Sequence, residues 1–289
     1  MIERGEALKN FWVRCTGQAE AKTSFPPKPL NKGEIILRTT VVLLIFLSIY
    51  AFFTFDYKNI QFSQALLSTL GNFQVMFLQA EARHFTLAES LYQVGITLAL
   101  AFLTTLLGAV LALFLGLLAA QNLSHPWLAW SVKGFVAFIR AVPTIFWVLI
   151  FAVGAGLGSV AAVIGMSFHS LGYLIKAYAE SFEELDKGVI EALQSTGASW
   201  WQVIWQAVIP SSVTYLLSWT FLRFEINFMN AVAMGAAAGA GGIGFELFMA
   251  SGHYFDLREV GFITYLILAV ALVLEMFTMK AKARLQVRN

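Results

Sequence analysis

The sequence predicts an all-α membrane protein with about six transmembrane helices. Apolar and aromatic residues make up 58% of its 289 residues and charged residues only 12%, against about 45–50% and about 25% in an average soluble domain. Mean hydropathy is +0.72. The apolar residues also gather in runs of about 20, the length that carries a helix across a bilayer. A soluble surface or a disordered chain needs far more polar residues than this. The single cysteine, Cys15, excludes an intrachain disulfide. A net charge of +2 gives no reason to expect nucleic acid as a partner.

The spans fall at 35–55, 91–120, 133–152, 158–179, 211–234 and 260–279. The third and fourth are separated only by Gly154, Ala155, Gly156, Leu157 and Gly158, so one long kinked segment is the alternative there. Residues 1–34 are polar and basic, carry Pro26, Pro27 and Pro29, and lack the apolar centre of a signal peptide. They read as a retained cytoplasmic tail. With both termini inside, fifteen of the 19 Lys and Arg lie on the inner side and three outside, while Arg223 falls within a span. The positive-inside rule therefore gives an N-in, C-in topology with 180–210 in the cytoplasm. Between the first two spans, Leu66, Leu67, Leu70, Phe73, Phe77 and Leu78 recur at helical spacing among polar residues, which predicts a surface-lying amphipathic helix. The chain thus divides into a tail (1–34), a first helix with an outer loop (35–90), a core (91–280) and a basic cytoplasmic tail (281–289).

The loop from Glu191 to Pro210 is the most informative segment. Gly197 interrupts a first helix, Ser199 and Gln202 are spaced for a capping box on a second, and Pro210 ends the loop and opens the fifth span. Trp201 and Trp205 are four apart and share a face. A short cytoplasmic helix with an aromatic face suits docking into a partner's groove; an ordinary amphipathic linker is the plainer alternative.

This spacing resembles the EAA loop of ATP-binding-cassette (ABC) importer permeases, E-A-A-x3-G-x9-I-x-L-P. Glu191, Ala192, Gly197 and Pro210 match in register, while Leu193, Ala207 and Ile209 depart from the commonest residues, apolar for apolar. Arg140-Ala141-Val142-Pro143, Arg223 through Asn227, and Gly239 through Leu247 further resemble the phosphonate-importer permease subfamily. The similar regions run from about 90 to 280. The resemblance implies a type I ABC importer permease fold in the bacterial cytoplasmic (inner) membrane. It also implies a small phosphorus oxyanion as substrate (phosphonate, phosphite or similar), a second permease copy, an external solute-binding protein, and ATPase subunits that dock on Glu191, Ala192, Gly197, Ala198, Trp201, Trp205 and Pro210. ATP and Mg would belong to those subunits, with no cofactor on this chain. Many phosphonate-type permeases carry E-x-N-x-R where this chain has Glu225, Asn227 and Met229.

Within the membrane, Arg223, Asn227 and Asn230 are spaced four and three apart and form one polar stripe. The stripe either faces a translocation pathway, offering a cation and amides to an anion, or glues helices together. Glu225 lies off that stripe, with a structural or gating role, and Lys176 is its candidate partner by depth. Gly239 to Gly244 spells G-x-G-x-x-G, but no strand precedes it, so the dinucleotide reading fails. A broken-helix turn near the pathway, with Gly241 and Gly242 at its centre, or close small-residue packing remains. His169, beside Ser167 and Ser170, is a pathway candidate or a packing histidine. No two histidines sit at metal-ligand spacing, and no P-loop is present. A self-contained, ion-driven secondary transporter stays open as the rival reading, although no internal repeat is evident.

Overall fold

The computed structural model describes residues 32–55 and 61–286. Most of the tail expected over 1–34, and the last three residues of the basic tail, lie outside them. All regular elements among the described residues are helices.

Helix α1 (Lys32–Thr54) belongs to a compact unit of its own. It is apolar all round and buries none of its residues, as a lipid-facing span does. The larger unit opens with α2 (Phe62–Leu78), the amphipathic helix expected in the first loop. Helix α3 (Leu87–Ala119) starts at a capping box: Thr86 Oγ1 accepts from the Glu89 amide at 3.2 Å, and Glu89 Oε2 accepts from the Thr86 amide at 2.8 Å.

The third span departs from its expectation. In place of one helix over 133–152, α4 (Pro126–Ala141) and α5 (Thr144–Ala155) meet at 89°. Pro143 is the cause. It has no N–H to give, and it holds Val142 in an extended conformation at φ −92°, ψ 122°. Gly156 and Gly158, at φ +79° and +142°, then separate α5 from α6 (Ser159–Glu183), so the single long segment does not form. After α6 come α7 (Lys187–Ser195) and α8 (Trp200–Val203). A π-helical turn (Ile204–Val208) leads from α8 into α9 (Ile209–Ala238). The chain ends with α10 (Ile243–Phe248), a second π turn (Met249–His253) and α11 (Leu257–Gln286). Four helices are each long and apolar enough to cross a membrane, and there are six spans if each bent pair counts as one.

Helix α6 is the axis of the larger unit. Of its most apolar stretch 61% is buried, against 33% for α3 and 17% for α11, so lipid exposure falls mainly on the others. It packs on α3, α4, α5 and α9. Small residues bring them close: a Cβ on Gly165 would sit 2.5 Å from Val148 backbone, and one on Gly108 would sit 3.0 Å from Ser170 Cβ.

Two apolar cores result. One gathers Ala112, Val136, Leu174, Phe182 and Ile204 at the loop end. The other gathers Val94, Ala101, Val148, Met166, Phe228 and Ile263. Between them in sequence, on α3, α6 and α9, lie Thr104, Thr105, Ser170, Arg223 and Asn227, all buried. The bundle has a polar waist.

At the far end from the loop, the stretch before α3 is stitched to α11. The fully buried Glu259 carboxylate accepts from the amides of Arg83, His84 and Phe85 at 3.2, 2.7 and 3.0 Å, and meets His84 Nδ1 at 2.7 Å. The His84 ring stacks on Tyr254 at 4.0 Å, and Arg83 reaches Asp256 at 3.3 Å. Burial alone pushes the Asp256 carboxyl up. The amides of Arg258 and Glu259 and the Arg83 guanidinium outweigh it and hold the group below its ordinary value.

Candidate functional site

The waist is built outward from Arg223, which is 4% exposed. Its Nε donates to Ser170 Oγ at 3.2 Å. Ser170 Oγ donates to Asn227 Oδ1 at 3.0 Å, and Asn227 Nδ2 donates to Thr105 Oγ1 at 2.8 Å. This relay ties α9 to α6 and α3 and fixes the guanidinium. Its Cζ lies 4.9 Å from the centre of the Tyr173 ring. A second guanidinium, that of Arg140, has its Cζ 4.6 Å from the same centre. Arg140 ends α4, where a cation suits the helix dipole, and Gly172 lets it in: a Cβ there would press on Ile139 Cγ2 at 3.0 Å and Arg140 Cγ at 3.1 Å. The His169 ring sits 5.1 Å from Tyr173.

These groups leave hydrogen-bonding capacity unused. Arg223 Nη2, Arg140 Nε, His169 Nδ1 and Thr104 Oγ1 are buried without a partner among the described residues. Neither arginine forms an ion pair among the described residues; Lys133 pairs with Glu183 and Lys176 with Glu180 instead. With both Cζ atoms on one ring, they stand less than about 10 Å apart, which at an effective dielectric near 20 is a repulsion of about 2 kcal/mol. An uncompensated cation at this depth costs several kcal/mol more. A bound anion would relieve both terms.

The surroundings say which way the site opens. On α6, the least lipid-exposed of these spans, the exposed edge carries Tyr173, Lys176 and Glu180, with the half-buried His169 and Glu183 in line. Such a polar stripe cannot face hydrocarbon. It borders a cavity of about 260 Å³ lined by Lys133, Arg140, Lys176, Glu180 and Glu183.

The structure joins some of the sequence candidates and separates others. Arg223, Asn227 and His169 come together around Ser170 and Tyr173. Asn230 is half-buried one turn further on. Glu225 is half-buried and forms no ion pair with Lys176 among the described residues; the Lys176 Nζ lies 3.6 Å from Glu180 Oε1, its i+4 neighbour on the same helix. Gly241 and Gly242 lie beyond the C-terminal end of α9, far from Arg223. They form the turn that bends α9 against the α10 segment by 51°, with Gly239, Gly241 and Gly242 at φ +62°, +80° and +73°. This turn is also a tight packing joint. Gly242 abuts Thr97 Oγ1, Gly244 abuts the Val232 carbonyl, and the Ile243 amide donates to Thr97 Oγ1 at 3.0 Å. The glycine run is therefore a turn and a packing joint at once.

In the loop, Asp186 caps α7 by accepting from the Gly188 amide at 2.8 Å. Gly197, at φ +86°, ends it with a Schellman motif: its amide donates to Gln194 O at 2.9 Å and the Ala198 amide to Leu193 O at 3.2 Å. The Ser199–Gln202 capping box forms, with the Ser199 amide donating to Gln202 Oε1 at 2.7 Å. Glu191, Ala192 and Gly197 are exposed and Ala198 is half-buried. Trp201 and Trp205 are 54% and 61% exposed, while Val203, Ile204, Ala207 and Val208 face the core, so the aromatic face is free. Pro210 opens α9 in its first turn, where a missing N–H is harmless, as expected, but no break separates α9 from α8. The helix runs on from Trp200 to Ala238, and the π turn (Ile204–Val208) precedes the proline that lacks an N–H. Trp201 and Arg223 therefore ride one rod, about 33 Å apart at about 1.5 Å per residue. Sequence reasoning missed Trp200, whose Nε1 donates to Leu123 O at 2.8 Å and anchors the loop to the α3–α4 turn. It also missed Tyr173 as the ring shared by two arginines.

A helical bundle with six possible spans, a cationic waist and an exposed helical loop defines a membrane-embedded transport subunit. The chain belongs to the binding-protein-dependent transport system inner membrane component family, whose model matches residues 112–286. It is 35% identical over 153 residues to the phosphate-import permease protein PhnE of Mycolicibacterium smegmatis, covering 53% of this chain and 29% of that one. It is 33% identical over 183 residues to the phosphite transport system permease protein PtxC of Stutzerimonas stutzeri, covering 63% of this chain and 66% of that one. The chain thus spans less than two thirds of either relative. Among solved structures, the inward-facing methionine ABC transporter MetNI aligns with a TM-score of 0.61 at 20% identity, over 66% of this chain and 94% of that one. The type I importer permease fold is the one expected from the sequence.

Proposed function

We propose that the chain is the permease subunit of an importer for a small phosphorus oxyanion (phosphonate, phosphite or phosphate), working by alternating access with the energy supplied by another chain. The observation that carries this is the waist: two guanidiniums with unused donors and, among the described residues, no carboxylate partner, beside a polar stripe that cannot face lipid. The names of the relatives, one a phosphate-import and one a phosphite permease, support the same chemistry. Family membership favours this over a self-contained secondary transporter.

In this reading a second copy of the chain completes the pathway along the α6 stripe, and an external binding protein delivers the anion. ATPase subunits, which carry the ATP and Mg, dock on Glu191, Ala192, Gly197, Ala198, Trp201, Trp205 and Pro210. Closure of the ATPase pair moves the docked loops together. Because α8 and α9 form one rod, that motion reaches Arg223 and Asn227 directly, with His169 and Asn230 on the pathway, Glu225 in a gating role and Gly241 and Gly242 as the far hinge. Uptake of radiolabelled phosphite, phosphate and methylphosphonate by cells with and without the chain tests the assignment. Loss of uptake of at least one of them on deletion, restored by the wild-type chain, is the expected result. Unchanged uptake of all three would refute it.

A further inference from the structure

We infer that Arg140 and Arg223, held on the shared ring of Tyr173, form one composite anion site that passes the anion on to a cationic vestibule at Lys133 and Lys176. This rests on the oxyanion reading above and deepens it, because the two arginines come from different spans and differ in access. Arg223 is almost fully buried and fixed by Ser170, whereas Arg140 is half-buried and lines the cavity that Lys133 and Lys176 also line. Tyr173, 44% exposed, stands between the sealed end and the open one.

The donors suit a tetrahedral oxyanion. Arg223 Nη2 and Arg140 Nε are both buried and unpartnered, so each arginine can give a charge-assisted bond to a different oxygen. His169 Nδ1 is a third unpartnered group beside the same ring. The tyrosine face keeps the guanidiniums stacked and aimed through cation–π contact, a task an ammonium does less well. In the vestibule the cations are already paired, Lys133 with Glu183 at 2.9 Å and Lys176 with Glu180 at 3.6 Å. An anion arriving there competes with carboxylates and is held more weakly.

The test is equilibrium binding of radiolabelled inorganic phosphate, with unlabelled phosphite as competitor, to the full-length transporter in lipid nanodiscs, alongside uptake in cells. The wild type is expected to bind phosphate. Arg140→Gln and Arg223→Gln are each expected to weaken binding at least tenfold. Tyr173→Phe, which keeps the ring, stays within threefold, and Tyr173→Leu weakens binding like the arginine variants. Lys280→Gln, exposed on α11 and outside both the waist and the vestibule, leaves binding unchanged. Should Arg140→Gln not fold, Arg140→Lys keeps the charge without the stacked plane and is expected to bind three- to tenfold more weakly. Normal binding by Arg140→Gln or by Tyr173→Leu overturns the composite site. A wild type that imports phosphate or phosphite but binds neither in nanodiscs overturns the site and leaves the proposed function standing. A wild type that imports no phosphorus oxyanion overturns both.

Discussion

Replacing Gly197 with valine isolates the backbone geometry of the loop. Gly197 is exposed, at φ +86°, and nothing lies within 4 Å of where its Cβ would be, so crowding plays no part. A non-glycine residue in the left-handed region costs about 1–2 kcal/mol, with a β-branched one at the upper end. The two Schellman hydrogen bonds of Gly197 and Ala198 weaken with it. At about 2 kcal/mol, the equilibrium constant for forming the native turn falls about thirtyfold. Asparagine, which tolerates this conformation, loses only severalfold. The assay is uptake of radiolabelled phosphite per unit of chain in the membrane fraction. The valine variant is expected to insert at the wild-type level and transport at least tenfold more slowly, while the asparagine variant stays within about threefold to fivefold. Normal uptake by Gly197→Val, or equal damage from both variants, would refute the reasoning.

Three other predictions follow from the same geometry. Trp200→Phe removes the indole bond to Leu123 O and is expected to cost about 1 kcal/mol, read as faster hydrogen exchange in α7 and α8 with the span helices unaffected. Glu259→Ala leaves three partly buried amides and His84 without their shared acceptor and is expected to lower stability by about 2–3 kcal/mol, seen as a lower melting temperature in detergent. Asp256 has a depressed folded pKa, so its stabilisation is complete above the ordinary value of 3.8 and is lost as pH falls through the folded value. The melting difference between wild type and Asp256→Asn is expected at pH 6 and should vanish at strongly acid pH.

The spans, the loop and its turn chemistry were legible because they rest on local rules. Run length located the helices, and the Gly197 to Pro210 spacing announced a capped helical pair. The bend at Pro143 was written in the sequence too, but the apolar run on both sides hid it, because hydropathy does not register a missing N–H. Pro210 opens the fifth span as its local rule says, but the π turn before it joins α8 to α9 without a break, which the rule does not show. The waist was half legible. Arg223 and Asn227 share a face by spacing alone, but Arg140 and Tyr173 meet Arg223 only because Gly172 lets α4 close on α6, a contact between helices that no local pattern encodes. Depth alone suggested Lys176 for Glu225, and the nearer i+4 carboxylate of Glu180 took it.

The most direct test of the central claim is gentle extraction of the chain from its native membrane, followed by native mass spectrometry. The account predicts two copies of this chain with ATPase subunits at equal stoichiometry, and loss of those subunits when Trp201 and Trp205 are replaced by alanine. A chain that emerges alone and moves phosphite under an ion gradient would contradict it.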